Sequence, residues 1–158
     1  MLGRLKSMGA SMRFMKHLFG AAETHADRDG EPAPCPEHLL LAAARSEDGI
    51  ALRVLDDVGV DVEALGDAVA RARADLAPRP AGEETIRHAG VFIMTEPAQE
   101  AFQAAGRYSR SEHVTLNSGH VLAGVTTLHR GAAVSALRLL GVDRSALHAA
   151  AREAARHP

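Results

Sequence analysis

Nine histidines, at positions 17, 25, 38, 88, 113, 120, 129, 148 and 157, and a single cysteine, Cys35, are the residues here most able to do chemistry. Cys35 and His38 stand three apart, the one pair with metal-ligand spacing, but two ligands leave a tetrahedral zinc half-filled. No His-Glu-x-x-His occurs to supply the rest. A thiol or serine hydrolase needs a nucleophile, a base and an orienting group. Cys35 lies among Pro32, Pro34 and Pro36, and no Gly-x-Ser-x-Gly turn is present. No Gly-x-x-x-x-Gly-Lys-(Ser/Thr) is present either, so nothing is built to cradle a triphosphate. The residue types predict no catalytic centre, no metal and no cofactor.

His38 and His120 are set apart by position. The chain aligns with itself at an offset of 82 residues, pairing His38 with His120, Gly49 with Gly131, Leu55 with Leu137, Gly59-Val60-Asp61 with Gly141-Val142-Asp143 and Leu65 with Leu147. Chance overlap of Ala-rich stretches would match alanines. These matches fall on turns, apolar faces and helix caps, which marks a duplicated unit. Two histidines at one place in a repeat are expected to do one local job, a hydrogen bond near a helix N-terminus, where the dipole favours the neutral ring.

The elements that hold these residues read as helices. Hydrophobic residues make up 46% of 158 residues but aromatics only 3%, so packing rests on Leu, Val, Ala and Met. Met15, Phe19, Ala22 and Ala26 form one face of a first helix starting near Met12, after a frayed lead-in at 1–11. Pro36 suits the first position of helix two. Helix three carries Ile50, Ala51, Val54, Leu55 and Val58. Gly59-Val60-Asp61 reads as a left-handed stop followed by the cap of helix four. Residues 78–93 form a linker, with Glu83 to Ile93 either a short helix or an ordered loop. In the second unit Thr95 caps a helix containing Pro97, and Phe102, Ala105 and Ser109 align with Phe19, Ala22 and Ala26 at an offset of 83. Further helices begin near Ser118, Arg130 and Asp143. The expectation is an all-α chain of eight helices, with repeats at 12–77 and 94–158 forming one compact domain over 12–156.

Charge narrows the partners. Eighteen Lys and Arg against twenty Asp and Glu leave no broad basic face for nucleic acid. No apolar run approaches a membrane span, and Arg4, Lys6, Arg13 and Lys16 interrupt any secretory leader. One cysteine excludes an intramolecular disulfide, and a cytoplasmic setting is expected.

The runs Pro36-Glu37-His38-Leu39-Leu40-Leu41, Ser46-Glu47-Asp48-Gly49-Ile50-Ala51 and Val54-Leu55-Asp56-Asp57-Val58-Gly59-Val60 resemble the N-terminal repeat domain of the Clp unfoldases ClpA and ClpC. A weaker copy follows at Ser118-Gly119-His120-Val121-Leu122, Gly131-Ala132-Ala133 and Leu139-Leu140-Gly141-Val142. The resemblance implies a non-catalytic module that receives degradation substrates or adaptors, here without an ATPase part. In some members the Glu of the Glu-His pair reads the guanidinium of phosphorylated arginine. The matching residue is Glu37; in the second unit it is Gly119, and Pro36 replaces the usual Thr, removing a hydroxyl and a backbone donor. Met12 and Met94 lie near the family's aromatic residue beside its partner surface. Glu37, Met12 and Met94 are therefore the candidate partner-binding residues, toward protein or peptide. The alternative is a small apolar ligand in a groove between the repeats.

Overall fold

Gly59 and Gly141 set the frame of both repeats. Each is left-handed (φ 80° and 71°), and each lets the following valine amide fold back, Val60 onto the Leu55 carbonyl (2.8 Å) and Val142 onto that of Leu137 (3.0 Å). The next residue then caps a new helix, Asp61 accepting from the Ala64 amide and Asp143 from that of Ala146, both at 3.1 Å. The computed structural model describes residues 2–76, 86–89 and 92–158, without the side chains of 2–5, 7 and 86–89. Eight helices lie in it: α1 (Leu2–Arg28), α2 (Pro36–Ala44), α3 (Ile50–Asp57), α4 (Val62–Asp75), α5 (Glu96–Glu112), α6 (Ser118–Val125), α7 (Ala132–Leu139) and α8 (Arg144–Arg156).

Two expectations need correction. α1 starts at Leu2 rather than near Met12, so residues 2–11 are helical instead of a frayed lead-in. Gly9 costs about 1 kcal/mol against alanine, too little to stop a run of Leu, Lys, Met and Ala. The second correction concerns Glu83 to Ile93, of which 83–85 and 90–91, with the linker residues 78–82, lie outside the described residues. Residues Ile86–Ala89 (β1) and Phe92–Thr95 (β2) pair as an antiparallel hairpin, with Ile86 opposite Thr95 and Ala89 opposite Phe92. Phe92 is half-buried, Ile93 exposed and both Met94 and Thr95 buried, so the strand lacks the clean period-two alternation that would announce it in sequence. The other described elements are all α-helices as expected, in two four-helix repeats.

The interior is centred on α2 and α6, whose every residue is buried. They pack against each other as pseudo-equivalent helices. The fourth helix of each repeat then rests on the third helix of the other, α4 on α7 and α8 on α3. The repeats thus share one core. Close approach is bought with small residues: a Cβ added to Gly124 in α6 would sit 2.1 Å from the Ala101 carbonyl oxygen of α5. Phe19 fills the space between α1 and the hairpin, stacking on Phe92 (4.2 Å) and meeting Phe102 edge-on (4.9 Å).

Candidate functional site

The starts of α2 and α6 are built alike. His38, third residue of α2, accepts the Cys35 amide proton at Nδ1 (2.9 Å); His120, third residue of α6, accepts that of Asn117 (3.2 Å). An accepting Nδ1 places the ring proton on Nε2. His38 Nε2 therefore donates to Asp29 Oδ2 (3.0 Å) and His120 Nε2 to Glu112 Oε2 (3.2 Å). Both rings are neutral, wholly buried, and used to close a helix end.

Beyond each histidine the acid meets arginine from the repeat's last helix. Asp29 pairs with Arg73 Nε (3.2 Å), and the same guanidinium reaches Glu31 (2.6 Å) and Glu37 (2.5 Å). Burial works against the charge on Arg73, but the hydrogen bonds from Glu31 and Glu37 overcome it and hold the group above the usual arginine range. In the second repeat Glu112 accepts from both the Nε and a terminal nitrogen of Arg152 and lies 3.4 Å from Arg156. Burial pushes the Glu112 carboxyl up. Arg152, through hydrogen bond and charge, with His120 and Arg156, outweighs it and leaves the group below the ordinary carboxylate value. Burial likewise lowers His120, and Glu112 offsets only part of that.

The three expected binding residues do not share a surface. Glu37 is 2% exposed and bound to Arg73, so its carboxylate faces a guanidinium of its own chain. Met94 is wholly buried behind Thr95, whose amide donates to the Pro34 carbonyl (3.0 Å). Met94, a candidate partner-binding residue, is the inward residue of β2 and fills the core. Met12 is 56% exposed on the outer part of α1. Gly119, the position equivalent to Glu37, is a packing point. A Cβ there would lie 2.8 Å from Ile50 Cγ2 and 2.9 Å from Ala155 Cβ, so no side chain fits.

Cys35, Glu37 and His38 bring ligand atoms within 4.8 Å of one another, all buried. Their donors are already engaged. Both His38 nitrogens are hydrogen-bonded, and Glu37 faces the fixed charge of Arg73. The Cys35 thiol lies 3.8 Å from the Ala33 carbonyl, and the His38 nitrogen beside it takes the backbone amide, not the thiol. That is the arrangement of a helix anchor.

One contact joins the repeats asymmetrically. Asp48 accepts from the Ser118 amide (2.8 Å) and hydroxyl, and Ser118 Oγ accepts from the Ala51 amide (2.9 Å). At the equivalent places of the other repeat stand Arg130 and Pro36, which cannot form it.

The partners of the two histidines were missed by sequence reasoning, though a signal existed for half of them. Asp29 and Glu112 obey the offset of 83 already visible for Phe19 and Phe102, and so could have been paired. Arg73 and Arg152 are 79 apart, one helical turn out of register, and leave no trace in the alignment.

Residues 14–88 match the family model of the Clp repeat N-terminal domain. Among solved structures the chain is similar to the N-terminal domain of the caseinolytic protease associated chaperone ClpD from Arabidopsis thaliana. Identity is 22% and the TM-score 0.60, over 89% of this chain and 88% of that one. It is also similar to a structure described as preliminary structural investigations of a malarial protein secretion system, at 17% identity and TM-score 0.61, over 86% and 88%. No curated protein matches the sequence. Residues 14–88 thus carry a Clp repeat, a pseudo-symmetric copy follows it, and over nearly its whole length the chain is like the Clp N-domains in fold.

Proposed function

We propose that the chain is a non-enzymatic protein- or peptide-binding module of the Clp protease system, one that receives or sequesters degradation substrates or adaptors in the cytoplasm. The observation that carries this reading is the Clp-type double repeat whose buried histidines are tied through acids to partly buried arginines at the two helix starts. Groups so paired hold helices in place and leave the outer surface for recognition. The ClpD neighbour is, by its description, a domain of a protease-associated chaperone. Glu37 enters this proposal as a support of the surface rather than a contact, since a ligand would first have to displace Arg73.

Quantitative affinity capture tests it, with the full chain as bait in the lysate of its own host. Clp ATPase or protease subunits, or proteins that accumulate when the protease is inhibited, should be enriched over a control bait. Enrichment of none of these overturns the proposal. The alternative, a small apolar ligand between the repeats, finds less support. Along α2 and α6 that interface is filled, with Gly119 against Ile50 and Ala155. A thermal-shift screen in which a small apolar compound raises the melting midpoint saturably, while Clp components are not captured, would favour it instead.

A further inference from the structure

Among the described residues, the outer part of α1 buries no side chain. Phe19, Ala22 and Ala26 enter the core, yet no described side chain between residues 6 and 13 is buried. Residues 2–13 make an arm roughly 18 Å long at about 1.5 Å per residue. Met8 and Met12 lie one turn apart on the face that continues into Met15 and Phe19, and they are 67% and 56% exposed. The charge of the arm is one-sided. Residues 1–22 contain four Lys or Arg and no Asp or Glu, whereas the rest of the chain has 14 basic and 20 acidic residues. Two such arms side by side would set like charges together, so arm-to-arm pairing is disfavoured.

A surface of opposite character lies along the outer face of α3. Leu52, in its first turn, and Val58, just past its end, are exposed there with Asp56 and Asp57, and the one cation among them is the exposed Arg53, which leaves the stretch net acidic. Two aspartates in a last helical turn oppose the helix dipole, and this turn holds no basic residue. Among the described residues no ion pair compensates either one. Helix stability therefore does not explain them.

We infer that a second copy of this chain docks here, the basic methionine-faced arm of one molecule lying on the acidic Leu52–Val58 patch of the next. Arm and patch are different surfaces, so the contact is head-to-tail and extends or closes into a ring. This goes beyond the proposed function and does not depend on it.

Sedimentation velocity on the full chain tests it over a wide concentration range at low and high salt. The expected result is a mass that grows past the monomer with concentration and falls back in high salt, because the attraction is between exposed charges. Met12→Glu alone and Asp56→Lys with Asp57→Lys each abolish the growth. Mixed in equal amounts, the two variants form a heterodimer and nothing larger, since each keeps one competent half. All these positions are exposed, and unchanged helical circular dichroism verifies the fold. A monomer at every concentration overturns the inference, as does self-association that survives in either variant. So does a wild-type monomer that co-sediments with phosphatidylglycerol vesicles but not with phosphatidylcholine ones, which assigns the arm to an anionic bilayer.

Discussion

Arg73 is the residue on which the first repeat's polar interior turns. It is the common partner of Asp29, Glu31 and Glu37, and through Asp29 it holds the His38 ring. Removing one partner of a buried pair leaves the other charge uncompensated. Arg73→Ala should therefore lower the unfolding free energy by about 3 kcal/mol, with Arg73→Lys intermediate because a point charge cannot serve three carboxylates. Urea denaturation measures both. Adding Glu37→Gln to Arg73→Ala should recover part of the loss, and a double variant no better than the single would show Glu37 uncoupled from Arg73. The second repeat offers a test by pH. His120 is lowered by burial, so the unfolded chain binds its proton more readily, and stability is complete above the ordinary histidine value of 6.5 and declines as pH falls through it. Glu112, held below its ordinary value of 4.5, adds a second loss as pH falls further and its carboxylate protonates. Urea midpoints should thus be flat above neutrality and fall in acid. His120→Asn, whose side-chain oxygen can still accept the Asn117 amide, should show a shallower fall near pH 6.

At the scale of elements, helix spacing is set by glycine in one place and merely tolerates it in another. Gly124 lies against the backbone of α5, so Gly124→Ala must push α5 and α6 apart and should cost roughly 2–3 kcal/mol. Gly66, inside α4, has nothing within 4 Å of where a Cβ would stand. Gly66→Ala should stabilise by about 0.5–1 kcal/mol, through helix propensity alone. Thermal melts of the two variants should move in opposite directions; a common direction would mean that the α5–α6 approach is not rigid. The same contrast explains what could be read in advance. The stops at Gly59 and Gly141, the caps Asp61, Thr95 and Asp143, and Pro36 at a helix start are local devices, and local devices are visible in sequence. The hairpin was missed because a four-residue strand carries too little period to outweigh its neighbours. The start of α1 was missed because its outer turns bury no described side chain and so carry no buried apolar face to betray them. The candidate site fared worse for a related reason. Met94 and Glu37 were placed by likeness to surface residues, whereas their exposure depends on β2 pairing inward and on Arg73 arriving from 36 residues away.

For the molecule as a whole, the exchange of fourth helices decides how it folds. α4 lies on α7 and α8 on α3, so neither repeat can cover α2 or α6 by itself. A half chain would expose most of its apolar residues, and an isolated unit of that size has little core to spare. The segments 12–77 and 94–158 are consequently proposed to be halves of one cooperative unit rather than independently stable domains. Each fragment alone should lack a cooperative urea transition, and mixing them should restore one, with helical content approaching that of the intact chain. In that intact chain, fluorescence of a label on α4 and circular dichroism should give coincident transitions. Ser118→Ala removes the hydroxyl that links Asp48 to the Ala51 amide and leaves that buried N–H without its acceptor, at a cost of about 1–3 kcal/mol. Because the link crosses between the repeats, the loss should shift both probes together. Separate transitions, or a fragment that unfolds cooperatively by itself, would mean that each repeat closes its own interior.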